Sequence, residues 1–255
     1  MQNGEVPSDW YRNSFSPDLL PIFWDEDVGE KVDVVLEMLR GTGDERVLDL
    51  ACATGSYSVE LSRRGFDVIG VEARGEMLEI ADGEAHFRKA DPYFHMLDPR
   101  EMPFHHEFDW VLSVGGGAFG HFDYDHEDLA AFEAAARALR PSGRLLMQLP
   151  NVRHVEAHLP PRTWISTKGT VDLIDQYWNA GTRRIEATTL TLVKTGYGDL
   201  EYGGEASFQR RLYSVEELAE IFKTVGLYLT DVFDENGDRC VPTATQQEIF
   251  VEART

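Results

Sequence analysis

Apolar residues along this chain fall into short unbroken runs, separated by segments in which they recur at helical spacing. Val32, Val35, Leu36 and Leu39 predict a helix over 28–40. VLDLA (47–51) reads as a buried strand, ACATG as a tight turn, and SYSVELSRRG as a helix ending at Gly65. FDVIGVE (66–72) is a second buried strand, MLEIADGEAHFRKA (77–90) a helix, and YFHML (93–97) a third strand running to Asp98. FDWVLSVGGG (108–117) is a fourth strand entering a glycine cluster. LAAFEAAARALR (129–140) places Leu129, Phe132, Ala136 and Leu139 on one helical face. PSG is then a turn, and RLLMQLP (144–150) is the fifth strand.

Beyond Pro150 the pattern changes. Residues 163–213 carry alternating runs such as RIEATTLTLVK, without helical period, and read as antiparallel strands inserted after strand five. Helical spacing returns in SVEELAEIFKTVG (214–226), where Ser214 and Glu217 have the spacing of a capping box. LYLTDVF (227–233) and EIFVEAR (248–254) are the last strands, a hairpin closing the sheet edge, with 234–247 as a surface loop. Alternating strands and helices of this length imply an α/β fold: a doubly wound, mostly parallel seven-stranded sheet with helices on both faces. The expected division is an N-terminal arm over 1–27, an α/β core over 28–151, a β insertion over 152–213, and a return to the core over 214–255. The arm is rich in aromatics, among them Tyr11, Phe15 and Trp24.

Composition narrows the setting. The 255 residues suit one large domain with an insertion, and 42 % hydrophobic residues can bury an ordinary core. The formal net charge of -21 disfavours nucleic acid, because counterion release could not drive binding to a phosphate backbone. No stretch approaches the roughly 18 apolar residues of a membrane span. The first residues lack a charged-then-apolar leader pattern. Cys52 and Cys240 are the two cysteines, too few for a disulfide framework. The expectation is a soluble, cytoplasmic protein.

In an open parallel sheet, ligands sit at the carboxyl ends of the strands, and the marked residues fall there. Small residues in the Asp49–Gly55 turn let backbone approach a ligand, and the following helix offers free amides. Glu72, about twenty residues on, can accept both hydroxyls of a ribose. Asp98 ends strand three, within reach of an adenine amino group, and Gly115–Gly117 follow strand four.

The stretches VLDLACATGSY, VIGVEARGEMLEIA, MLDPREMPFHHEFDWVLSVGG and LRPSGRLLMQLPN resemble the class I S-adenosylmethionine-dependent methyltransferases. SFQRRLYSVEELAEIFKTVGLYL is similar to the C-terminal part of members that act on small molecules. The resemblance implies a Rossmann-like methyltransferase fold with S-adenosyl-L-methionine as methyl donor and an N or O atom of a small molecule as acceptor. It implies Asp49, Ala51, Ala53 and Gly55 around the methionine part, Glu72 on the ribose, and Asp98 on the adenine. Ser113 and Val114 would then lie near the sulfonium. The family's first two motif glycines are Ala51 and Ala53 here, and alanine resists positive φ, so the turn must accommodate it. Pro99 follows Asp98 and removes an N–H. An intact GxGxxG is absent, which sets aside an NAD-dependent oxidoreductase. The alternative is a protein that keeps the donor site without catalysis, as a sensor or interaction partner.

Other positions carry paired readings. His121, just past the glycines, is either a general base or acceptor-orienting group, or a structural histidine. The run from His121 to Asp128 looks like a metal cluster, but Asp125 with Asp128 reads better as a helix cap, and no metal is expected. His154 and His158 lack the zinc-protease order. Tyr57 either touches the cofactor or packs. Tyr177 and Trp178, with Tyr11 and Trp24 of the arm, either wall an acceptor pocket or pack. The insertion either covers the acceptor or forms a homodimer interface.

Overall fold

The computed structural model describes residues 27–115, 117–166, 169–196 and 198–255. Tyr11, Phe15, Trp24 and the expected arm lie outside the described residues. Helix α1 (Val28–Leu39) buries Val28, Val32, Val35, Met38 and Leu39, and stops at Arg40, whose left-handed backbone (φ 53) closes the last turn. Strand β1 (Arg46–Leu50), α2 (Ser56–Arg63), β2 (Asp67–Glu72), α3 (Gly75–Arg88), β3 (Tyr93–Met96) and β4 (Phe108–Ser113) follow as the sequence predicts.

Helix α4 covers Asp125–Ala138, starting earlier than its apolar face suggests. Three acids in the first turn suit a helix N-terminus, and a Glu127 carboxylate oxygen accepts the Tyr124 amide at 3.1 Å. Asp128 is no cap: it is wholly buried. Strand β5 (Leu139–Pro150) also starts early. Its pairing with β4 jumps from Phe108–Leu139 to Trp110–Arg144, so Pro-Ser-Gly is a bulge within the strand, with Ser142 at φ 66.

Helix α5 (Val152–His158) leads into β6 (Arg162–Ser166), β7 (Thr170–Asn179), β8 (Arg184–Lys194) and β9 (Leu200–Arg211). These four pair in sequence order as an antiparallel meander, the second sheet. Helix α6 (Val215–Thr224) has the predicted capping box: Ser214 Oγ accepts the Glu217 amide and Glu217 accepts the Ser214 amide. Strands β10 (Tyr228–Phe233) and β11 (Glu248–Arg254) complete the first sheet, ordered β10-β11-β5-β4-β1-β2-β3. The final strand thus lies inside the sheet, antiparallel to both β5 and β10. Its run from Ile249 to Ala253 is fully buried, which demands cover on both faces.

Alternation along the strands divides the core. Leu48, Leu50, Leu145 and Met147 pack with α4 and α6 on one face. Val47, Trp110, Leu112 and Leu146 pack with α1 and α2 on the other. A small third cluster of Val152, Val155 and Leu212, with Trp178 and Ile185 against it, fastens the second sheet to α5.

Candidate cofactor and acceptor site

The turn after β1 is held on three sides. The Cys52 amide donates to Val71 O at 3.0 Å, and the Ala53 amide to Glu72 Oε2 at 3.2 Å. From below, the buried Asp49 carboxylate accepts Ser58 Oγ at 2.6 Å. Burial pushes the Asp49 carboxyl up to about 6, against the lowering effect of the Ser58 bonds. Ala51 (φ 59) and Ala53 (φ 50) both adopt the left-handed backbone that glycine enters freely, so the turn keeps its path despite the added methyl groups. Gly55 (φ 78) is the N-cap of α2. A Cβ there would lie 2.8 Å from Phe94 and 2.9 Å from Ala81, so this position has no room for a side chain. No side chain among the described residues caps the first amides of α2.

At the next strand end, Glu72 is buried. Its Oε1 accepts both the amide and Nε of Arg74, each at 3.1 Å. The Leu97 amide bonds Glu72 O at 3.1 Å, which brings Asp98 alongside. Asp98 Oδ1 accepts the Arg100 amide at 2.9 Å, and Pro99 opens a single 3-10 turn. Proline has no N–H to waste at that first position. The Arg100 guanidinium bridges Asp98 (2.6 Å) and Glu127 (2.5 Å) and lies 4.7 Å above the Phe122 ring. Arg100 escaped sequence reasoning because its second acid is 27 residues away.

Beyond β4 the chain folds back tightly. Ser113 Oγ accepts the Ala118 amide at 3.0 Å, and a Cβ on Gly117 would lie 2.6 Å from that oxygen. Ser113 and Val114 are both buried. The Gly115 amide donates to Gln148 Oε1 at 3.0 Å. The Tyr57 ring lies against Gly115, where a Cβ would be 3.0 Å from it, so Tyr57 links α2 to this loop while packing in the core. His121 follows Gly120 and is half-buried.

The second sheet joins this loop directly. The Arg211 amide donates to Gly120 O at 2.7 Å, Arg184 to Phe122 O at 2.8 Å and Asp123 O at 2.9 Å, and Gln209 Nε2 to Asp123 Oδ1 at 2.9 Å. Tyr177 and Trp178 do not wall one pocket together. Successive residues on a strand face opposite ways. Trp178 packs against Val155 and Leu212, whereas Tyr177 is exposed and donates to Glu186 on β8. His154 and His158 stack 4.6 Å apart on α5, and His154 Nδ1 bonds Ala244 O at 2.8 Å, a structural contact.

The strand-end turn, Glu72, Asp98 and the post-β4 loop therefore meet at the carboxyl edge of the first sheet. The family described as "Methyltransferase domain" matches residues 47–143, which span the first four strand ends. This chain therefore carries a methyltransferase domain over residues 47–143. It is 26 % identical over 211 residues to "Putative methyltransferase YqeM" of Bacillus subtilis (strain 168), covering 82 % of this chain and 83 % of that one. It is 32 % identical over 135 residues to glycine N-methyltransferase of Rattus norvegicus, covering 48 % and 45 % of the two chains, so it spans about half of that relative. The fold is also that of an S-adenosylmethionine-dependent methyltransferase from Clostridium acetobutylicum ATCC 824, with TM-score 0.74 and 14 % identity over 97 % and 95 % of the chains.

The residues at this edge suit S-adenosylmethionine. A carboxylate stands at a strand end, the turn carries only small side chains, and among the described residues no side chain caps the helix amides behind Gly55. Among the described residues, no helix is long and apolar enough to cross a membrane.

Proposed function

We propose that this methyltransferase methylates an N or O atom of a small molecule held between the carboxyl edge of the first sheet and the second sheet. The observation that carries this reading is the attachment of the second sheet, through Arg184, Gln209 and Arg211, to the loop directly after β4. In this reading residues 28–151 and 214–255 form the donor-binding core, and 152–213 cover the acceptor. Glu72 accepts the ribose hydroxyls and Asp98 the adenine amino group. Ala51, Ala53 and Gly55 lie along the methionine part, with Asp49 shaping their turn from behind. Tyr57, Ser113 and Val114 border the reacting centre.

The donor supplies a methyl group already bonded to a good leaving group. The protein's task is then to align the acceptor and exclude water. An amine must arrive neutral, and a hydroxyl must lose its proton. His121, half-buried beside Gly120, is positioned to orient the acceptor or take that proton. The net charge of -21 argues against a nucleic-acid acceptor. Likeness to a glycine N-methyltransferase supports an amine. The outer part of the second sheet also suits a homodimer contact: Trp164 and Leu173 sit opposite each other and both are exposed.

The test is a screen with isotopically labelled methyl donor against amino acids, other amines, hydroxyl compounds and RNA. Label transferred to a small amine or alcohol is the expected result. Transfer to RNA alone contradicts the reading.

A further inference from the structure

Asp128 lies in the first turn of α4, where an acid usually faces water, yet it is wholly buried. Its Oδ1 accepts the Gly120 amide at 2.7 Å and its Oδ2 accepts the Tyr213 hydroxyl at 2.9 Å. Gly120 belongs to the loop after β4, and Tyr213 to the link between β9 and α6. One carboxylate therefore grips both partners of a joint whose backbone bond is Arg211 N–H to Gly120 O. The approach is close enough to require glycine: at φ 89, a Cβ on Gly120 would lie 2.1 Å from Arg211 O.

Charges converge on this joint from each element packed there. Arg184 on β8 and Arg210 on β9 attract the Asp128 carboxylate, and Asp125 on α4 repels it. Arg211 pairs with Asp125 (3.6 Å) and with Glu217 of α6 (2.7 Å), and Arg183 pairs with Glu217. The Arg211 guanidinium also sits 4.6 Å over the Tyr213 ring.

We propose that Asp128 is a positioning residue, a buried clasp that locks the 118–124 loop to the second sheet, so that loop and cover move as one body, and that ionisation of Asp128 loosens the joint. The proposal rests on the reading that the acceptor lies between this loop and that sheet, but its test needs no acceptor. Bonds to an ionised carboxylate are shorter and about twice as strong as neutral ones. Burial raises the Asp128 carboxyl to about 6, while the Gly120 and Tyr213 bonds and Arg184 pull the other way. The joined state therefore holds the proton more tightly than a released, solvated Asp128 would, so the joint is firmest below about pH 6 and weakens as the carboxyl ionises above it. Burial beside Asp128 also raises the Tyr213 hydroxyl, which stays protonated throughout. A neutral Asp128 keeps both contacts, because its proton can be donated to the Tyr213 oxygen while the other carboxyl oxygen accepts the Gly120 amide.

Hydrogen exchange of the full chain, corrected for intrinsic rates, tests this in segments 118–124 and 205–213. In the wild type, exchange there should slow about tenfold between about pH 7.5 and about pH 5, while 144–150 and 248–254 stay protected. Asp128→Asn should show the slow rates at both pH values and bind S-adenosylhomocysteine within about twofold of wild type. Tyr213→Phe, which keeps the Gly120 bond, should loosen 205–213 at both pH values and serves if the asparagine variant does not fold. Wild-type exchange that ignores pH, or an Asp128→Asn protein whose pH response persists or whose segments all loosen alike, overturns the clasp. A failed acceptor screen with this exchange pattern intact would instead remove the acceptor reading and leave the clasp.

Discussion

Ala51 and Ala53 stand where backbone conformation favours glycine, at φ 59 and φ 50. A left-handed residue with a Cβ costs about 1–2 kcal/mol, partly offset because glycine orders more backbone on folding. Ala53→Gly should therefore raise stability by roughly 0.5–1 kcal/mol, seen as a rise of about 1–4 °C in the unfolding midpoint. A midpoint that falls would show that the methyl group makes contacts worth more than the strain. Asp49 carries a different cost. Its carboxyl is raised by burial from 3.8 to about 6, so folding favours the protonated form. Its contribution is fully present below about pH 3.8 and is lost as pH rises through about 6. Asp49→Asn keeps an acceptor for Ser58 and should stabilise the protein at neutral pH by up to about 2 kcal/mol, with the gain fading toward about pH 4. Denaturant unfolding across that range checks it, and a gain independent of pH contradicts it. At this scale, Glu72 and Asp98 were legible because they end strands whose spacing from the turn is regular. Arg100 and Asp128 were not, since Glu127 and Tyr213 reach them only through the tertiary fold.

Among elements, periodicity alone placed most strands and helices, because both sheet faces of the core are covered and its strands read as continuous apolar runs. One boundary escaped it. The Pro-Ser-Gly near the start of β5 has turn chemistry, but the strand runs through it as a bulge in its pairing with β4. The last two strands, read as a hairpin closing the sheet edge, form one: β10 and β11 pair antiparallel at the edge, with β11 against β5. The second sheet was legible as antiparallel strands but not as to which face each side chain takes. Trp178 now belongs to the α5 contact and Tyr177 to the exposed face. Trp178→Ala should lower stability by about 3 kcal/mol in chemical unfolding. Tyr177→Ala should change it by less than about 0.5 kcal/mol and instead raise the Michaelis constant for the acceptor found in the screen. Equal losses of stability would contradict this division of labour.

For the whole molecule, a doubly wound sheet presents its strand ends on one side, and the insertion after β5 leaves from that side. The strand ends and the second sheet therefore share one edge of the fold, joined through the loop after β4. The most direct test of this arrangement is calorimetric titration of the wild type and Glu72→Ala with S-adenosylhomocysteine and, separately, NAD. The wild type should bind S-adenosylhomocysteine and not NAD, and Glu72→Ala should lose about 1–3 kcal/mol of that binding while remaining folded. Tight NAD binding without S-adenosylhomocysteine binding, or an unchanged affinity in a folded Glu72→Ala protein, would contradict the site described at these strand ends.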